Sequence, residues 1–114
     1  MKIRTFLLVL PLVALAALMP SGLRGESSSL KILKFEADWC GACKAMKPAF
    51  AAVAKSTEGV RFETVNVDRQ SSLAESYGVK LLPTIVAVKD GREVGRLTGA
   101  QSEKKLKNFV KKHR

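Results

Sequence analysis

The chain holds two cysteines, Cys40 and Cys43, with two residues between them. A short apolar segment, Leu30 to Phe35, precedes them, and an alanine-rich segment with helical spacing follows. That order puts both thiols on the first turn of a helix. There they can close a small disulfide ring and reopen it with little backbone movement, which makes a two-electron switch. A cysteine attacks as the thiolate, so its pKa governs its reactivity. Cys40 is expected at the helix N-terminus, where unpaired N–H groups and the helix dipole favour negative charge. That pulls its pKa below the free value of about 8.5. Cys43 is expected one turn in and more buried, its sulfur near that of Cys40. Cys40 can then attack a substrate disulfide, and Cys43 can resolve the mixed disulfide that results. The same steps in reverse make an oxidase.

Other uses of a cysteine pair are weighed against this one. A structural zinc site takes four Cys or His ligands. The chain offers two cysteines and His113, which sits in the basic C-terminal tail, so zinc needs a dimer. Covalent haem needs His directly after the second cysteine, and that position is Lys44. An inert disulfide over so short a loop gains little chain entropy. A non-enzymatic domain that holds Cu(I) on the two soft sulfurs stays open as an alternative. A dithiol assay separates the two, because an enzyme turns over and a carrier binds stoichiometrically.

At 114 residues the chain has room for one domain with a single core. Its formal net charge is +10 and 46% of its residues are hydrophobic, the latter partly because of the N-terminus. Lys2 and Arg4 precede an apolar run from Phe6 to Met19, broken by Pro20-Ser21-Gly22. The run suits a signal-peptide core and is short for a membrane span. Residues 1–25 are therefore expected to be a signal peptide or an N-terminal membrane anchor, with possible membrane association through residues 5–23. Residues 26–114 are the expected folded domain, beginning with a polar linker from Glu26 to Ser29.

Strands are expected at Leu30–Glu36, Val60–Val67, Thr84–Lys89 and Glu93–Thr98. Helices are expected from about Cys40 to Lys55, from Asp68 to Tyr77, and from Ser102-Glu103 onward. In the first helix Met46, Phe50, Val53 and Ala54 share one face, which reads as core packing. Pro48 is expected to kink that helix. Gly78 is a helix stop, and Asp90-Gly91 is a hairpin turn. Right-handed crossovers turn this order into an α/β fold, a four-stranded mixed sheet with helices on both faces. The last helix carries Lys104, Lys105, Lys107, Lys111, Lys112 and Arg114. A solvated face explains them, with a steering patch for acidic partners or an anionic membrane as the alternative. Nucleic acid is not expected, since no base-stacking aromatic set accompanies the charge.

Three marks together resemble the thioredoxin family. Ala37-Asp38-Trp39-Cys40-Gly41-Ala42-Cys43-Lys44, with Pro48 after it, is similar to the family's active-site segment. Leu82-Pro83-Thr84 is similar to its cis-proline loop, and Gly99-Ala100 to the pair that follows its last strand. They span residues 30–112 in family order. The resemblance implies a thioredoxin-like fold, with Cys40 and Cys43 as the catalytic pair. It implies a substrate groove at Trp39, Gly41, Ala42, Leu82, Pro83 and Gly99, with Ala100 beside it. It also implies a cis Leu82–Pro83 bond that presents the Leu82 backbone to an extended substrate.

This chain departs from the pattern beneath the cysteines. Six residues before the first cysteine the family usually carries a buried acid, and this chain carries Lys34. The neighbouring-strand lysine is replaced by Thr64, and Glu36 stands where many members have an aromatic. Either Lys34 favours the Cys43 thiolate by charge, or it snorkels outward to Glu36, Glu63 or solvent. The expectation is a periplasmic or otherwise extracytoplasmic thiol–disulfide oxidoreductase that reduces protein disulfides. It needs no metal or organic cofactor beyond the redox-active Cys40–Cys43 disulfide, and it draws electrons from a membrane or soluble dithiol donor. Oxidase or isomerase action is the alternative within the same chemistry, since Gly41-Ala42 replaces the family's Gly-Pro.

Overall fold

Alternate side chains of a strand point to opposite faces, and Leu30–Glu36 (β1) is apolar on both. Such a strand belongs at the centre of a sheet covered on both sides. The computed structural model, which describes residues 29–114, places it there. The expected signal or anchor segment lies outside the described residues.

The sheet order is β2-β1-β3-β4. β2 (Arg61–Asn66) runs parallel to β1, while β3 (Thr84–Lys89) pairs with β1 in antiparallel register, Lys34 opposite Ile85. β4 (Arg92–Thr98) closes the far edge against β3. Asp90 and Gly91 both take positive φ, 51° and 84°, as a two-residue hairpin turn requires. The expected four-stranded mixed sheet is the one observed.

One face carries Leu30, Ile32, Ile85 and Ala87. It packs against Met46, Phe50 and Val53 of α1 (Gly41–Lys55) and Leu106, Phe109 and Val110 of α3 (Glu103–His113). The other face carries Leu33, Phe35, Val65, Val86 and Val88 and packs against Ala74 of α2 (Ser71–Ser76). α1 runs on as helix through Pro48. Pro48 itself is exposed. Ser102 caps α3 by accepting from the Lys105 N–H at 3.1 Å.

α2 is shorter than the expected Asp68–Tyr77 helix. The Asn66 side-chain oxygen accepts from the Asp68 and Arg69 N–H groups, at 2.9 and 3.1 Å, and folds that stretch into a turn. The stop at Gly78 is as expected. Gly78 has φ 61°, its N–H bonds the Glu75 carbonyl, and the Val79 N–H bonds that of Ala74. This is a Schellman ending.

The end of α3 is held by His113, whose ring stacks edge-on against Phe109 at 4.8 Å between centroids. It fits over β4 because residue 95 is glycine; a Cβ there would lie 2.5 Å from the His113 Nε2. Burial first, then Lys112 and Lys89, hold the His113 pKa below its ordinary 6.5. The unfolded chain therefore binds the proton more readily. This contribution to stability is present above about pH 6.5 and is lost as pH falls through the folded value. Urea midpoints of wild type and His113→Phe, measured from pH 8 to pH 5, should converge in slope above neutrality. Only the wild type should show this extra acid loss.

Candidate active site

Cys40 ends the β1–α1 turn and serves as the N-cap of α1. Its φ and ψ are −89° and 106°, and its sulfur accepts from the Cys43 N–H at 3.1 Å. The first turn of α1 holds no acidic residue, and the helix dipole favours negative charge at this sulfur. Cys40 and Cys43 are joined as a disulfide with Cα atoms 5.2 Å apart. Cys40 is 7% exposed and Cys43 is 1% exposed. The outer sulfur is thus the one a substrate meets.

Two sets of side-chain bonds hold the turn. The Trp39 indole N–H donates to Asp68 at 2.9 Å. Asp38 accepts from Asn66 at 3.1 Å and from Arg69 at 2.9 Å. The turn after β2 therefore clasps the redox turn, and the Asn66 geometry that shortens α2 is part of that clasp. Sequence reasoning missed this, because the partners lie about thirty residues apart.

Trp39 is 70% exposed. With Cys40, Val67, Val79, Lys80, Leu81 and Leu82 it lines an open cavity of about 420 Å³. Leu81 is also exposed, at 62%. Of the expected groove residues, Trp39 and Leu82 share this cavity with Cys40. Gly41 and Ala42 are exposed on the first turn of α1 and do not line it. The Leu82–Pro83 peptide is cis. Pro83 is held by the Gly99 N–H, which donates to its carbonyl at 2.8 Å, and Thr84 Oγ1 donates to the Leu81 carbonyl at 2.6 Å. Gly99, at φ 90°, thus braces the proline loop from behind and does not wall the cavity. Val67, Val79, Lys80 and Leu81 were not anticipated. Leu81, an apolar residue just before Leu82-Pro83, was the available signal.

Beneath Cys43 lies Lys34, 0% exposed. It does not snorkel outward. Its Nζ donates to Glu36 Oε1 at 2.8 Å and to the Cys43 carbonyl at 3.1 Å, and lies 5.7 Å from the Phe50 ring centroid. The partner is the expected Glu36, but the pair is buried, with the Glu36 side chain 17% exposed. Period-two alternation explains this: Lys34 and Glu36 share the α1-facing side of β1 with Leu30 and Ile32.

A dithiol–disulfide pair at a helix N-terminus, beside a cis-proline loop and an open apolar cavity, defines a thiol–disulfide exchange domain. The family model described as Thioredoxin matches residues 23–112. A thioredoxin H-type of Oryza sativa subsp. indica is 39% identical over 88 residues, covering 77% of this chain and 71% of the relative. A thioredoxin of Chlamydia pneumoniae is 36% identical over 87 residues, covering 76% and 85%. The X-ray structure of Fasciola hepatica thioredoxin superposes with a TM-score of 0.72 at 40% identity, covering 75% of this chain and 82% of that one. The chain belongs to the thioredoxin family and is a thiol–disulfide oxidoreductase of that type.

Lys34→Met keeps the apolar stem and removes the charge, leaving the Cys43 carbonyl and Glu36 without their buried donor. A loss of about 1–3 kcal/mol is expected, read as a lower urea midpoint at unchanged slope.

Proposed function

We propose that this chain reduces disulfide bonds of protein substrates outside the cytosol. The observation that carries the reading is the Cys40 sulfur, capping α1 at the edge of the apolar cavity. In the reduced protein Cys40 attacks as thiolate. One substrate sulfur leaves and the other is bound to Cys40 as a mixed disulfide. Cys43 then attacks the Cys40 sulfur, the second substrate thiol leaves, and the Cys40–Cys43 disulfide forms. Trp39, Leu81 and Leu82 offer apolar contact to the substrate, and the Leu82 backbone offers main-chain hydrogen bonds to an extended segment. Gly41 and Ala42 leave the approach to Cys40 open, while Pro83 and Gly99 fix the Leu82 backbone. Lys34 modulates the pair from beneath Cys43. The chemistry runs on the dithiol alone, without metal or organic cofactor, and a membrane or soluble dithiol donor restores the reduced form.

The basic start and apolar run of residues 2–19 support export or membrane anchoring. The resemblance of the Trp39–Cys43 frame to reducing members supports the direction of electron flow.

Equilibration of the full chain in glutathione buffers, with thiol trapping, measures the potential of the pair. A value near the roughly −270 mV of a reductant is expected, and one near the roughly −120 mV of a strong oxidant would reverse the direction. Cys43→Ser should accumulate mixed disulfides with substrate proteins through Cys40, visible on non-reducing gels. Cys40→Ser should accumulate none.

A further inference from the structure

We propose that the end of the domain opposite the redox turn docks on an anionic membrane surface through a layer of basic side chains, leaving Cys40 turned away from the bilayer. The inference goes beyond dithiol exchange and rests on the reading of the N-terminal apolar run as a membrane-targeting segment.

Every strand supplies one cation to this end. β1 runs from Leu30 to Glu36, about 20 Å at roughly 3.3 Å per residue, so Leu30 marks the end remote from Cys40. The register there sets Arg61 of β2 opposite Lys31 of β1, Lys89 of β3 opposite Leu30, and Arg92 of β4 opposite Lys89. The two helices that cover one face of the sheet finish at the same end. α1 stops at Lys55, and the last turn of α3 carries Lys111 and Lys112 before Arg114. The Arg114 guanidinium donates to the Glu58 carbonyl at 2.9 Å. With Ser56, Thr57, Lys107 and Lys111 it lines a cavity of about 290 Å³ where the two helices end.

Few acids answer these cations. Among the described residues only Arg61 of this set is in an ion pair, 3.8 Å from Glu63. Asp90, at the hairpin tip, accepts from the Ser29 hydroxyl at 3.2 Å. The redox end is mixed by comparison: Asp38 holds Arg69, Asp68 accepts from Trp39, and Glu103 opens α3. A helix C-terminus favours cations through its dipole. That accounts for Lys55, Lys111 and Lys112 but not for the four on the strands.

A bilayer suits this layer better than an acidic protein does. The cations spread over the ends of four strands and two helices, and a plane of headgroups can meet them together. Each basic residue near such a surface strengthens binding about five-fold. The preceding chain also enters here. Ser29 lies with Lys31, Gly59, Arg61 and Gly91 around a cavity of about 360 Å³. Residues 20–28 join Ser29 to the apolar run that ends at Met19, and a linker of that length spans at most about 30 Å. A run held in a bilayer therefore keeps this end near the headgroups, and charge has only to orient the domain. With β1 upright on the membrane, Trp39, Leu82 and the cavity they share with Cys40 face the aqueous side.

The test uses the full chain in its disulfide form, floated with vesicles of phosphatidylcholine alone or of an equal mixture with phosphatidylglycerol. A water-soluble lysine-acylating reagent is added, and mass spectrometry reads the labelling of each lysine. On the mixed vesicles Lys89, Lys107, Lys111 and Lys112 should label about five-fold less than on the neutral ones. Lys44, Lys80 and Lys104, towards the redox end, should not change. Salt at about 1 M, where the Debye length is about 3 Å, should remove the difference. Lys107→Gln, Lys111→Gln and Lys112→Gln made together should restore the labelling of Lys89 on the mixed vesicles, with the urea midpoint and disulfide-reducing rate of wild type. Equal labelling of wild type on both vesicles, or protection spread evenly over both ends, overturns the proposal. Protection of the same lysines by poly-glutamate, when the mixed vesicles give none, makes the partner an acidic protein and overturns it too. A chain that does not float with the neutral vesicles overturns the targeting reading instead, and its labelling on the mixed vesicles still decides the docking. A chain that floats with neither overturns both.

Discussion

β1 is hydrogen-bonded along both edges and covered on both faces, so nearly every side chain on it is committed to one of two interiors. Leu30 and Ile32 fill the space under α1 and α3; Leu33 and Phe35 fill the space under α2. The strand's end aims the following turn at the helix N-terminus, so burial of an apolar strand becomes placement of a sulfur. Full burial of one such side chain is worth about 1.5–3 kcal/mol, and the α1-facing cluster gathers ten buried residues. The Cys40–Cys43 turn follows directly from this buried strand and packs with Ala37, Val67 and Leu82, which suits a switch that must open without its frame moving.

The same commitment explains Lys34. An ammonium buried on the α1-facing side of β1 needs partners within reach. It finds a carboxylate two positions along its own strand and a carbonyl on the first turn of α1. A lysine stem also packs as hydrocarbon, and here it lies against the Phe50 ring. Where the family resemblance implies a buried acid, this chain holds a buried Lys34–Glu36 ion pair.

Local chemistry made much of this legible in the sequence. The cysteine spacing, the Asp90-Gly91 hairpin, the Gly78 stop and the α1 face through Met46, Phe50 and Val53 depend on neighbours in the chain, and all appear where expected. What was not legible depends on distant partners. The length of α2 turns on an Asn66 side chain that folds back on the residues after it. The cavity lining joins Val67 and Val79 to Cys40 across the sheet end. The fate of Lys34 lay in the period of β1, since residues 30, 32, 34 and 36 share a side. An isolated charge in a strand nonetheless reads as an outward-facing one, and only the helix laid over it decides otherwise.

A sheet of four strands has two open edges, and each edge invites another chain to pair with it. The edges here are unsuited to that. β2 presents Arg61 and Glu63 on its exposed side. β4 carries Arg92, Glu93 and Arg96, and its ladder shifts register between Ala87 and Val88, leaving Val94 without a partner on β3. That interruption twists the outer strand and breaks the row of backbone donors and acceptors that a neighbouring molecule would need. The flanks of the sheet are thus poorly suited to taking up a further strand.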